Sequence, residues 1–202
     1  MAGWRQRLSA SDGGIAVAER KVLAQKEITG VLTLLPCVFE QELVDIAPAD
    51  RSYVAAEMTA FLLFWLSRLR CPVLNRPTPT CLSGPYWRRE KWISVAAQAG
   101  ISVQPLRRHA ALPSSSAEGE TLPVATSVTV IGNRVFGEVE PGLQRQALCL
   151  ARLAEVELLA VHFSSPERGA HFVSADVFPN LSDDRLADAV LEYLRAGLTR
   201  CA

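Results

Sequence analysis

Between Met58 and Leu66 the chain runs for nine residues with a single polar side chain, Thr59. The run lies inside a longer stretch, Ala49–Leu69, bracketed by Pro48 and Pro72. Apolar residues recur through it at helical spacing: Val54, Met58, Phe61, Leu62, Trp65, Leu66 and Leu69. Asp50 stands where an N-cap is wanted. Leu63 and Phe64 widen the apolar arc beyond one stripe, which predicts a helix largely enclosed by other structure. About 20 apolar residues are needed to cross a bilayer, so this run is too short. Pro72 ends the helix, and Pro72–Asn75 reads as a short strand stopped by Arg76-Pro77. A helix this apolar, feeding at once into a short apolar strand, must bury one against the other. That arrangement belongs to α/β architecture.

The flanking segments extend the same pattern. Ile15–Glu19 and Thr29–Leu34 read as strands around a polar hinge, Arg20 to Glu27, and the second strand is apolar enough to be buried on both faces. Thr78–Pro85 is a Pro/Thr/Ser/Gly loop with Cys81-Leu82 held inside it. Trp87–Gly100 is a second helix and Ile101–Val103 another strand. The order β-β-α-β-α-β predicts a mostly parallel N-terminal sheet with flanking helices, over residues 13–106. Residues 107–123 hold a Ser triplet, Gly and bracketing prolines, and read as a linker. Residues 124–202 then form a smaller C-terminal α/β part. In it, Ser127–Ile131 and Arg134–Val139 make a hairpin about Gly132-Asn133, the reverse of the preferred Asn-Gly order. A helix over Gly142–Ala154 follows, then strands over Val156–Phe163 and His171–Val177, and a last helix, Ser182–Leu198, capped by Ser182.

Composition narrows the function. Among 202 residues, 21 basic and 21 acidic side chains cancel, which argues against nucleic acid or an anionic membrane as partner. Five cysteines without CxxC spacing, and an N-terminus without an apolar signal region, predict free thiols and a cytoplasmic protein. No GxGxxG, GxxxxGK[ST] or GxSxG occurs. Three groups of residues can carry chemistry. Glu57 shares a helix face with Tyr53 and Phe61, and its carboxylate needs water or a partner. Arg51 and the Asn75-Arg76 pair are the candidates, as a structural ion pair or as ligand contacts. Trp87, Arg88, Arg89 and Lys91 open a helix, as an anion site or a solvated first turn. His162 sits on an apolar strand, either hydrogen-bonded in the core or facing a ligand.

The run Asp50–Pro85, followed by Trp92 and an AAQAGISV segment, resembles the N-terminal lobe of ATP-grasp ligases, most of all the glutamate-ligase-like and peptide-modifying branch. Tyr53 and Glu57 match that lobe's Y-x-x-x-E helix. Asn75, Arg76 and Pro77 match its N-R-P strand end, and Gly100, Ile101 and Val103 its next strand. Val128–Phe136 resembles the family's hairpin, and Leu150–Pro179 the end of the ATP lobe, where metal carboxylates stand. There the family's Asp, Glu and Asn become His162, Ser174 and Asp176. The central region that carries the phosphate lysine, the glycine-rich flap and the adenine pocket has no counterpart beyond residues 107–123. The resemblance therefore implies a degenerate, pre-ATP-grasp-like lobe followed by a truncated ATP-grasp part, with no cofactor. It implies a non-catalytic protein that binds a peptide or small molecule through Arg51, Glu57, Asn75, Arg76, Trp87, His162 and Asp176, or that partners a ligase or precursor peptide, with a homodimer left open. Two alternatives stand: a compact ligase-like or other transferase enzyme built around Glu57, Asn75, His162 and Asp176, and a plain interaction module.

Overall fold

A computed structural model describes residues 15–18, 21–104 and 122–197. Most of the expected linker 107–123 lies outside them, as do residues 1–12. The described chain forms two compact units: residues up to Tyr86 together with those from Leu181 onward, and Trp87–Asn180. No described helix is long and apolar enough to cross a membrane.

In the first unit β1 (Ile15–Ala18) and β2 (Lys21–Ala24) pair antiparallel, Ile15 opposite Ala24. Half of the expected polar hinge is therefore strand, because pairing with β1 supplies its backbone with partners. β3 (Val31–Leu32) lies parallel to β4 (Val73–Leu74), Val31 opposite Val73 and Leu32 opposite Leu74. Val31 N–H to Pro72 O at 3.0 Å and Thr33 N–H to Leu74 O at 2.9 Å continue the ladder. The side-by-side parallel pairing read from the sequence is present. The sheet is nevertheless smaller than expected, and β3 is only half-buried.

Helix α1 (Arg51–Ser67) occupies the expected place. Asp50 does not cap it with its side chain: its backbone is already helical, at φ −100 and ψ −11, so the carboxylate cannot turn back onto the first amides. The helix is also less enclosed than expected. Trp65 and Leu66 are buried with Leu69, packed with Ala16, Cys71, Val73 and Leu82, whereas Tyr53 is 70% exposed. Only the C-terminal half of the helix joins that apolar cluster. Helix α4 (Asp184–Ala196) returns to this unit, where Leu194 packs closely on Gly30 and leaves a Cβ there only a tight fit. Its cap is Asp183, not Ser182: the Asp183 carboxylate accepts from Arg185 N–H at 2.9 Å.

The second unit holds a mixed five-stranded sheet. Its order is β5 (Ser102–Val103), β9 (His171–Asp176), β8 (Leu158–Phe163), β6 (Thr126–Ile131) and β7 (Arg134–Phe136). Only β5 and β9 are parallel; the remaining pairs are antiparallel. Helices α2 (Arg89–Gln98) and α3 (Pro141–Leu153) bury Trp92, Val95, Ala96, Leu143, Ala147 and Leu150 in one cluster with Val128, Val130, Leu159, Val161, Phe163 and Phe172. This corrects the expected grouping of residues 87–103 with the N-terminal strands. β5 takes its hydrogen bonds from β9, Ser102 opposite His171, and α2 buries its apolar face in the same core. In the β6–β7 turn Gly132 has φ +59, and Glu155 is the one described non-glycine residue with positive φ, so Asn133 is negative. That sign pattern is a type II′ turn, which wants Gly first and explains the reversed order.

Candidate functional site

The pleat of the five-stranded sheet sends alternate side chains to opposite faces. Val128 and Val161 join the helix-covered core, so their neighbours Ser127 and His162 point the other way. Ser127 stands opposite His162, and His162 opposite Ser174, which makes a polar row across β6, β8 and β9. Ser127 Oγ lies 2.7 Å from His162 Nδ1. Asp176 is two residues beyond Ser174 on the same face. Burial pushes the His162 imidazole below its ordinary value, and the negative charge of Asp176 works against that shift. The ring is therefore neutral near pH 7, free to share one nitrogen with the Ser127 hydroxyl. Asp176 Oδ1 accepts from Phe178 N–H at 2.8 Å. His162 and Asp176, paired candidates in the sequence, thus lie on one sheet face. Ser127 was missed because nothing within its own strand marks it; only the strand register sets it beside a histidine 35 residues away.

The first unit places its candidates differently. Asn75 is buried, and its Nδ2 donates to Ser83 O at 3.3 Å. Arg51 holds the turn before α1, with Nε to Ile46 O at 3.0 Å and Nη2 to Val44 O at 3.2 Å. Arg76 is exposed and reaches Cys71 O at 3.5 Å. Glu57 is exposed on α1, and the ion pair expected for it with Arg51 or Arg76 is absent, since both guanidinium groups are turned to backbone carbonyls. Glu57 takes the solvated alternative. Trp87, in the second unit, is packed on its own helix: its ring is 4.7 Å from that of Trp92, and Lys91 Nζ sits 5.3 Å above it. The ammonium lies within cation–π range of the ring.

A shallow groove of about 590 Å³ on the first unit includes none of these residues. One wall is Cys37–Gln41. The other is the face of α1 carrying Ser52, Ala55, Ala56, Thr59, Ala60 and Leu63. Val38 N–H donates to Thr59 Oγ1 at 3.0 Å, and that hydroxyl donates to Ala55 O at 2.8 Å. The signal for this groove was in the sequence: small residues recur at helical spacing beside the apolar stripe, where little side chain fills the space.

No family model matches the chain, and no curated protein does. Solved structures do. The macrocyclase MdnC of Microcystis aeruginosa MRC, crystallised with its precursor peptide MdnA, superposes with a TM-score of 0.69 at 14% identity, over 95% of this chain and 86% of that one. The macrocyclase MdnB of the same organism gives 0.65 at 13% identity, over 95% and 85%. The ATP-grasp ligase PsnB, in complex with a minimal precursor, Mg and ADP, gives 0.52 at 12% identity, over 90% and 85%. At these identities the likeness is one of fold.

Proposed function

We propose that this chain is a non-catalytic ATP-grasp-like protein that binds a peptide as an accessory partner of a peptide-modifying ligase. In this reading the residues before Trp87 hold the start of the lobe that precedes the ATP-binding region, and residues 124–202 the shortened remainder of that region. The fold likeness to MdnC and PsnB supports the setting. The observation that carries the loss of catalysis is the polar row. A triphosphate with Mg²⁺ needs several carboxylate oxygens on hard metal ions and several cationic or amide donors on phosphate. Where the resemblance puts those carboxylates, this chain has His162, Ser174 and Asp176. His162 is engaged with Ser127 at 2.7 Å, and Asp176 gives one oxygen to Phe178 N–H. Among the described residues no cluster of three His, Cys, Asp or Glu side chains can hold a metal ion. The lysines are Lys21, Lys26 and Lys91, none of them in residues 124–202. These residues do not fit Mg-ATP.

What the row can do is bind. A neutral imidazole, two hydroxyls and one carboxylate offer donors and acceptors to a peptide backbone without strong charge. Calorimetric titration of the full chain with Mg-ATP should show no binding tighter than about 1 mM, roughly −4 kcal/mol. Micromolar binding that disappears in Asp176→Ala would overturn the non-catalytic reading and promote an enzyme centred on His162 and Asp176. The accessory role predicts that the tagged chain, purified from its native host, brings down a ligase or its precursor peptide. Recovery of neither would count against it.

A further inference from the structure

Cys37 and Cys81 are far apart in sequence and lie on neighbouring segments of the first unit. Ser83 Oγ donates to Leu35 O at 2.8 Å, and Leu82 N–H donates to Pro36 O at 2.9 Å. The two segments thus approach with 35 beside 83 and 36 beside 82, which puts Cys37 and Cys81 next to the Pro36–Leu82 bond. The peptide group joining Pro36 to Cys37 is hydrogen-bonded to the one joining Cys81 to Leu82. In a regular antiparallel pair the residues just beyond such a bond have Cα atoms about 4.5 Å apart. Disulfides span Cα separations of about 4.4–6.8 Å. The loop bearing Cys81 is closed on itself, Thr78 and Cys81 exchanging backbone hydrogen bonds at 2.9 and 3.2 Å, so its position is set before any bond forms. Both cysteines are free thiols. The other described cysteines lie elsewhere: Cys71 is in the apolar cluster under α1, and Cys149 is exposed on α3.

The two thiols differ in access. Cys37 is half-buried and lines the groove beside α1, whereas Cys81 is fully buried. Burial pushes the Cys81 thiol up, against the opposing pull of the Ser83 backbone, and the two cysteines act on one another electrostatically. A reagent in the groove therefore meets Cys37 first.

We propose that Cys37 and Cys81 form a reversible dithiol–disulfide site, oxidised by a small-molecule disulfide of the glutathione class, which fastens the Cys37–Gln41 wall of the groove to the Thr78–Pro85 loop. The Cys37 thiolate attacks one sulfur of the disulfide, forms a mixed disulfide and releases one thiol. The Cys81 thiolate then attacks the Cys37 sulfur, closes the internal bond and releases the second thiol. The two cysteines give up two electrons and two protons, and the reagent is reduced to two thiols.

The test uses the full chain with Cys149→Ser and Cys201→Ser, leaving Cys37, Cys71 and Cys81. Reduced protein is exposed to oxidised glutathione, quenched in acid, alkylated in denaturant and peptide-mapped. Only Cys71 should take the alkylating reagent, a linked Cys37–Cys81 peptide should appear without bound glutathione, and dithiothreitol should restore all three thiols. Adding Cys81→Ser should arrest the reaction as a glutathione adduct on Cys37. Adding Cys37→Ser should leave Cys81 unmodified. Should either added variant fail to fold by circular dichroism, the map of the chain retaining both cysteines still decides. A glutathione adduct that persists on Cys37 while Cys81 is present, a bond to Cys71, or three unreacted thiols would overturn the proposal.

Discussion

His162 is held neutral by the site it occupies, and this has a measurable sign. Burial lowers its pKa from the ordinary value of 6.5, with Asp176 opposing. Below 6.5 the unfolded chain binds a proton that the folded imidazole resists, so the histidine's contribution is complete above that pH and is lost as pH falls through the folded value. His162→Gln keeps a hydrogen-bonding side chain but does not titrate. Urea midpoints of this variant should fall less between pH 7.5 and pH 5 than those of the parent, and equal losses would exclude a role for the imidazole. Asn75 tests a buried amide instead. Asn75→Ala leaves Ser83 O without its 3.3 Å donor, in a loop where Cys81, Leu82 and Ser83 are all buried. Leaving a buried polar group unsatisfied costs about 1–3 kcal/mol. The same denaturation series should show a loss of that order, whatever the effect on binding.

At the scale of elements, the β6–β7 hairpin is the most sharply specified piece of the second unit. Gly137, just after it, has φ +138, and a Cβ added there would stand 2.7 Å from Ser127 O. Both the backbone angle and the close approach exclude a side chain. Gly137→Ala should destabilise the chain by roughly 1–3 kcal/mol, the usual cost of forcing a non-glycine residue into strained backbone. It should also disturb the Ser127–His162 bond, visible as a shift of the His162 ring resonances. Unchanged stability together with an unmoved ring would show that the turn has slack the structure does not suggest. Helix α1 illustrates the opposite case. Its apolar residues are too many for the neighbours it has, so Tyr53 and Phe64 remain exposed while Trp65 and Leu66 are buried.

Across the molecule, stability should follow the depth of each sheet. β8 lies between two antiparallel neighbours, with Leu158, Leu159, Val161 and Phe163 all fully buried. The β1–β2 pair has only two strands and leaves Val22 65% exposed, and a two-stranded ribbon is marginal in water. Native-state hydrogen exchange should therefore find the slowest amides in β8 and β6 and fast ones in β1–β2. Equal protection in both places would mean that opening is global rather than local.

Sequence alone was enough for most of the elements, though β2 read as part of a polar hinge. Proline brackets, helical spacing and a Gly-Asn turn placed the four α-helices of the described residues, the parallel meeting of residues 31–32 with 73–74, and the C-terminal hairpin, because these signals act over a few residues. It also marked His162 as a polar residue on an apolar strand, whereas Asp176 entered through the family resemblance. Partnership was another matter. Residues 101–103 could have joined either sheet, and only the tertiary structure shows β5 beside β9. Likewise no local pattern sets Ser127 against His162 or Cys37 against Cys81, or returns α4 to the first unit. Those contacts are chosen by which buried faces and unpaired strand edges can satisfy one another at once, a condition on the whole fold that no short window of residues contains.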